Sequence, residues 1–259
     1  MPKADLNPLA RFSDRVEDYA RYRPSYPSSL IDFLCKNAGL KAGASVADVG
    51  SGTGILTRLL LDAGARVHAV EPNDAMRAAA ETEFRGRPNF VSVKGTAEKT
   101  GLPSASVSLI TCAQAFHWFE PAETRTEFAR ILAPGGRCAI FWNTSVAHGS
   151  AFAEGYEVIK LRFRTDSGRV HHENIRALEE FDSFFGRGGW ERQNFDNFQV
   201  LDRVGLRGRL LSSSYAPKSG HPAHESMLAA LDELFDQCQS NGAVRMDYKT
   251  ELFLGTFIR

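Results

Sequence analysis

Short apolar runs alternate with helical patterns along the first half of the chain, and the alternation predicts a topology. Residues 44–50, mostly small and apolar, read as a buried strand. Residues 53–63 follow with helical spacing, 66–71 read as a second strand and 73–84 as a second helix. The series continues with strands over 89–95 and 107–114, a helix over 121–132, an Ala-Pro-Gly-Gly turn at 133–136 and a fifth strand over 137–143. Strands separated by helices pair in parallel through right-handed crossovers, which predicts an α/β fold built on one doubly wound, Rossmann-like sheet. Asn73 and Asp74 suit the opening of the second helix, as capping residue and first-turn acid. Gly135 and Gly136 suit the turn that leads into strand five.

The rhythm breaks after residue 147. Residues 148–189 have helical spacing with mixed charge and predict a helical cap inserted between strands five and six. Residues 190–198 read as a strand, and 201–214 and 223–239 as helices. Over 244–254, Val244, Met246, Tyr248, Thr250, Leu252 and Leu254 share one face at a period of two, so the mostly parallel sheet is expected to gain a late antiparallel edge strand. A single domain over 1–259 is expected, with an N-terminal helical lid over 1–40, a binding core over 41–147, the cap over 148–189 and C-terminal strands and helices over 190–259.

Composition narrows the class. A chain of 259 residues with 43% apolar content has material for a sizeable core. Lys plus Arg balance Asp plus Glu at 31 each, with no basic run, so nucleic acid is not an expected partner. No apolar stretch approaches the roughly 18 residues of a membrane span, and the N-terminus lacks the apolar centre of a signal peptide. A cytoplasmic protein without a membrane partner, monomer or homodimer, is expected. Cys35, Cys112, Cys138 and Cys238 have no CxxC spacing and read as buried thiols. His171, His172 and Glu173 read as a solvated helix face, and no metal is expected.

The chemistry concentrates at "VADVGSGTG", residues 46–54, where strand one ends in Gly50, Ser51, Gly52, Thr53 and Gly54. Such a turn can bare its backbone to a ligand. Glu71 closes strand two, in the position where a carboxylate takes ribose hydroxyls in open α/β sheets. A purely structural turn with a solvent-facing Glu71 is the plain alternative. The spacing is GxGxG rather than the dinucleotide GxGxxG, and the charge of Asp48 just before the turn disfavours a pyrophosphate. The same charge suits a ligand with an ammonium and a sulfonium, as in S-adenosylmethionine. An NAD-dependent oxidoreductase is the reading this spacing argues against.

Together with these residues, "VHAVEPNDAM", "VKGTAEKTGLPSASVSLITCAQAFHWF", "EFARILAPGGRCAIFWN", "FSDRVEDYARYRPSYP" and "GRLLSSSYAP" make the chain resemble class I S-adenosylmethionine-dependent methyltransferases. The resemblance is to the type 11 methyltransferase domain and, within it, the trans-aconitate methyltransferase-like branch. It implies that Asp48 and Gly50 to Gly54 surround the methionine part of the cofactor and Glu71 binds the ribose. Pro72 and Met76 would flank the adenine, and Thr96, Ala97 and Glu98 would meet its amino group. Gln114, Ala115 and Phe116 would line the region of the sulfur, and the product would be S-adenosylhomocysteine. Tyr19 or Arg23 would hold the cofactor carboxylate, although a helix docking its aromatic residues into the core would carry the same letters.

The expected reaction is direct in-line methyl transfer to a small molecule, a carboxylate or an amine, for which position and a dry pocket matter most. His117, Trp118, Trp142 and Asn143 are the candidate acceptor-side residues. His117 can serve as a base, or as wall with its ring satisfied by backbone. For a carboxylate acceptor, Arg162, Arg164 and Arg169 in the expected cap are candidate anchors, or simply a solvated face. Intramolecular cyclisation of S-adenosylmethionine on the same fold is the alternative activity.

Overall fold

The computed structural model describes residues 16–165 and 178–257. Its strands are β1 (Ser45–Val49), β2 (Arg66–Val70), β3 (Phe90–Val93), β4 (Val107–Ala113), β5 (Leu132–Ser145), β6 (Trp190–Leu201) and β7 (Val244–Gly255). They form one sheet in the order β3-β2-β1-β4-β5-β7-β6. The first five pair in parallel, as the alternation of runs predicts. β7 lies antiparallel between β5 and β6, so its period-two pattern belongs to a strand with two neighbours, and β6 takes the edge. Strand order reverses at β1, which pairs with β2 on one side and β4 on the other. The crevice for a ligand in such a sheet opens at the carboxyl ends on either side of that reversal.

The Ala-Pro-Gly-Gly segment differs from expectation. It does not end one element and start another; it is absorbed into β5, where the pairing jumps from Val107 with Leu132 to Leu109 with Arg137. Gly135 takes a φ of 78°, and a side chain at Gly136 would run into Leu132 and the Ser108 carbonyl, so the irregularity is tolerated by glycine.

Apolar side chains of alternate strand positions fill the two faces. On one face α2 (Ser28–Asn37) and α3 (Ile55–Asp62) lay Leu30, Leu34, Leu56 and Leu60 on Val46, Val67, Leu109 and Phe141. On the other, α5 (Pro121–Ile131) and α7 (Leu178–Phe185) cover Ile110, Ile140, Trp142 and Phe253. The stacked rings of Phe181 and Phe253, 3.9 Å apart, anchor α7. The inserted helices therefore divide. α7 joins the sheet's own layer, because Phe181, Phe184 and Phe185 are core residues. α6 (Ala151–Phe163) packs with α8 (Arg203–Leu211) and α9 (His224–Cys238) in a third apolar cluster around Met246 and Tyr248. Tyr248 pairs with Ser145 at the far end of β5, so this cluster stands beyond the carboxyl end of that strand. Cys112 and Cys138 are buried thiols as expected, whereas Cys35 is exposed. His171, His172, Glu173 and Arg169 lie outside the described residues. Among those described, no helix is long and apolar enough to cross a membrane and no group of metal ligands occurs.

The remaining N-terminal helix, α1 (Val16–Tyr22), docks on α8. A Cβ at Gly208 would stand 2.1 Å from the Tyr22 ring, so the helices meet at a bare backbone. After α1 the chain is tied to the sheet. Ser25 O accepts hydrogen bonds from Asn143 Nδ2 (3.1 Å) and Asn197 Nδ2 (2.7 Å), and Tyr22 O accepts one from Gln199 Nε2 (3.1 Å).

In a helix interior alanine is favoured over glycine by ~1 kcal/mol, so a loss in Gly208→Ala would report the Tyr22 contact. The variant is expected to undock α1 and speed proteolytic cleavage within residues 16–27, while the sheet's unfolding midpoint in urea changes little.

Candidate functional site

The turn after β1 is left-handed at each glycine, with φ of 69° at Gly50, 57° at Gly52 and 89° at Gly54. Only Gly50 and Gly54 are sterically confined. A Cβ at Gly50 would lie 2.5 Å from Ala115 Cβ, and one at Gly54 2.3 Å from the Phe84 ring. At Gly52 the nearest atom would be Met76 Sδ at 3.7 Å, so that position leaves the space above it open. The turn's amides are not bare, however. Gly50 and Ser51 N–H donate to Val70 O, Gly52 N–H to Glu71 Oε2 and Gly54 N–H to Ser51 O. Ser51 Oγ and Thr53 Oγ1 are buried with no hydrogen-bond partner. With those amides engaged, the turn does not form a phosphate cradle.

Glu71 bridges this turn to the next helix. One carboxylate oxygen accepts from Gly52 N (2.8 Å) and the other from Asn73 N (2.9 Å). Asn73 in turn caps α4 (Asp74–Glu83), its side-chain oxygen accepting from Ala75 N and Met76 N at 3.0 Å each. The Glu71 carboxylate is buried, which raises its pKa, and the two amides and Arg77 pull it back. An ionised carboxylate has about four acceptor positions, so two amides leave room for two further hydroxyls.

Asp48 sits beneath the turn, 1% exposed, with Oδ2 accepting from Thr57 Oγ1 (2.6 Å) and Oδ1 from Thr111 Oγ1 (3.0 Å). Burial pushes its pKa up to about 6 against those two hydroxyls, and the charge of Glu71 adds to the rise. Tyr26, set edge-on to Phe141 at 4.9 Å, is electrostatically coupled to Asp48 on one side and to Tyr19 and Arg23 on the other. Tyr26, read from sequence with Tyr19, Tyr22 and Arg23 as a cofactor-carboxylate candidate, is buried in the core against Phe141.

The end of β4 forms the other wall. Gln114 takes a φ of 58°, rare for a residue with a side chain, and its Nε2 donates to Asn143 O at 3.0 Å. Ala115 is buried against Gly50. His117 and Trp118 follow in a single 3-10 turn, half-buried, with ring centroids 4.7 Å apart. Pro72 is half-buried beside Glu71, and Met76 is buried over the turn. Beyond β3, Thr96 is exposed and Ala97 buried, while Glu98 accepts from Glu120 N at 2.9 Å. That segment is clamped by Glu127, which accepts from Thr100 N and Oγ1 and whose pKa Arg130 first of all holds down at about 2.

Four expected site residues have other surroundings. Trp142 is buried edge-on to Phe116, Phe181 and Phe253 on the face covered by α7, because it alternates with Phe141 along β5. The Phe116 ring points the same way, 4.7 Å from Phe184, so its side chain is core. Asn143 has its side chain engaged by Ser25, Thr250 and Asn197, which makes it the tether of the lid. Arg162 is exposed and lies over the Phe163 ring.

Comparison with known proteins assigns the family. Residues 47–140 match a family model described as a methyltransferase domain. The chain is 42% identical over 137 residues to an uncharacterized methyltransferase of Mycobacterium tuberculosis, covering 51% of this chain and spanning about half, 52%, of that relative. It is 32% identical over 251 residues to an uncharacterized methyltransferase-like protein of Schizosaccharomyces pombe, covering 95% of this chain and 94% of the relative. A solved structure from Anaeromyxobacter dehalogenans, described as that of a candidate type II methyltransferase, shares the fold with a TM-score of 0.69 at 23% identity, over 91% of this chain and 98% of that one.

Two tests follow from the turn and the acid beneath it. Gly50→Ala meets Ala115 and should destabilise strongly, whereas Gly52→Ala bears mainly the left-handed strain of ~1–2 kcal/mol. Gly52→Ala is therefore expected to stay folded in a urea titration while closing the open face to ligand. Between about pH 4 and 6 native Asp48 keeps a proton that the unfolded chain has lost, so its contribution to stability falls as pH rises through that window, by ~3 kcal/mol in all. Unfolding midpoints of Asp48→Asn should lack that decline, seen by subtracting its profile from that of the wild type.

Proposed function

The chain belongs to the methyltransferase-domain family, and we propose that it is an S-adenosylmethionine-dependent methyltransferase acting on a small molecule. The observation that carries the reading is Glu71, buried at the switch point, holding Gly52 and Asn73 by one amide each and still able to accept a pair of ribose hydroxyls. Asp48 beneath the turn matches the cationic end of a methionine moiety, and the unpartnered Ser51 and Thr53 hydroxyls match its polar atoms. The engaged amides disfavour a pyrophosphate in the same place.

In this reading the glycine turn holds the methionine part, Pro72 and Met76 flank the adenine, and Thr96, Ala97 and Glu98 border its amino edge. Gln114 and Ala115 stand near the reacting sulfur, and Tyr19 and Arg23 receive the cofactor carboxylate. When bound, S-adenosylmethionine supplies a methyl group already activated by its sulfonium, displaced in line with a neutral thioether as leaving group. The protein's contribution is position and exclusion of water. The lid, tied down through Ser25, closes the carboxyl ends of the strands, and His117 and Trp118 form the wall that orients the acceptor. The enclosed, aromatic setting supports a small acceptor, a carboxylate or an amine, over a macromolecular one.

Calorimetric titration with S-adenosylhomocysteine tests the reading. Saturable one-to-one binding is expected, with Glu71→Ala weakening it by ~1–3 kcal/mol and barely altering the urea midpoint. Absence of binding by the wild type at millimolar ligand would overturn it.

A further inference from the structure

The outer strand of the sheet, β6, carries opposite charges at equal distances from Asn194, with Arg192 before it and Asp196 after it. β6 pairs with β7 in an unbroken register, from Trp190 opposite Gly255 to Leu201 opposite Val244. Thr256 N–H donates to Gly189 O across that pairing at 2.9 Å, and on the other side of β7 Val146 N–H donates to Asp247 O at 2.9 Å. Backbone groups of successive strand residues alternate in direction. The odd-numbered residues of β6 therefore bond to β7, and Arg192, Asn194 and Asp196 turn their N–H and C=O groups to the outer edge. The side chains of Glu191, Arg192, Gln193, Asn194 and Asp196 are exposed, as are those of Phe198 and Val200. Phe198 N–H is taken by Asn197 Oδ1 at 2.9 Å, which closes the outward-facing stretch at that end.

Charged side chains on an edge strand ordinarily keep other strands away. On β6 they are balanced within the chain, Arg192 by Glu251 and Asp196 by Lys249, so the edge presents both signs in alternation. A two-fold axis at Asn194 would place outward-facing residues of two copies opposite each other: Asn194 on Asn194, Arg192 on Asp196 and Trp190 on Phe198. Opposite charges directly across a seam stabilise it, and like charges do the reverse. An axis at Arg192 or Asp196 would set like charges together, and one at Gln193 or Phe195 would leave both facing uncharged residues. With the axis at Asn194 the charges run Lys249, Asp196, the partner's Arg192, the partner's Glu251, each beside its opposite. Phe198, 51% exposed in the single chain, gains an aromatic neighbour in the partner's Trp190. We propose that β6 is an interface at which two copies of this chain join antiparallel, edge to edge about Asn194, into one continuous sheet. Asn197 and Gln199 of the same strand hold the lid, so the pairing also braces the lid's anchor.

Sedimentation equilibrium of the full chain at micromolar concentrations tests the interface and should give twice the mass of one chain. Asn194→Pro removes an outward N–H and no bond to β7, so it should weaken association at least about tenfold and leave the urea midpoint little changed. Asp196→Arg, which opposes the partner's Arg192, should weaken it by at least about tenfold as well. In a Cys35→Ser background, Asn194→Cys should oxidise to a disulfide-linked dimer, because the Cα atoms of a directly opposed pair stand about 5.5 Å apart. Phe198→Cys, displaced from its own copy along the seam, should not. The two cysteine variants carry the test if Asn194→Pro does not fold. A wild type that stays monomeric at every concentration would overturn the interface and leave the edge to an extended segment of another protein. A dimer left intact by both Asn194→Pro and Asp196→Arg, or one cross-linked through Phe198→Cys as readily as through Asn194→Cys, would overturn it too.

Discussion

At the switch point β1 has to turn into α3 within contact distance of the end of β4, and the rest of the structure depends on how that turn is held. Left-handed backbone at Gly50 and Gly54 lets Ala115 and Phe84 pack directly on the chain, where any side chain would collide. Glu71 then closes the arrangement by joining Gly52 to the capping residue of α4. One buried carboxylate thereby sets the relation between the first two βα units and keeps part of its hydrogen-bonding capacity for a ligand.

The polar side chains divide the crevice by charge. Burial and the nearby charge of Glu71 raise the cost of ionising Asp48, and a cationic ligand group would relieve that cost. Arg23 at the cap end is the opposite case, its pKa lowered by burial and then by the charge of Arg209. The lid lies between them and is held by hydrogen bonds to its backbone at Tyr22 and Ser25, so Tyr19, Arg23 and Tyr26 come to the crevice as a unit. α6, α8 and α9 support it from outside through a cluster separate from the two faces of the sheet.

The sheet and the glycine turn were legible because period and turn chemistry are local. Strand runs in the first half announced parallel pairing, and the interval from the turn placed a carboxylate, Glu71, at the end of β2 beside it. What stayed hidden depends on which face of a strand, or which layer, a residue joins. Trp142 and Phe141 are neighbours with the same apolar character, yet one enters the α7 layer and the other meets Tyr26. α7 looked like cap because its phenylalanines are interspersed with acids, and only its packing on Phe253 puts it against the sheet. The burial of Arg209 carried a readable signal, a lone basic residue on the buried side of α8 with Leu206 and Leu210. Of the arginines read by charge in the expected cap, Arg162 faces solvent and Arg164 is half-buried, while Arg169 lies outside the described residues.

The central claim is that Glu71 and the glycine turn together form the cofactor's seat. A crystal structure of the protein with S-adenosylhomocysteine tests it most directly. The account predicts both ribose hydroxyls on the Glu71 carboxylate and the homocysteine part along residues 50–54, beneath Tyr26. A nucleoside bound elsewhere, with Glu71 making no contact to it, would contradict the account.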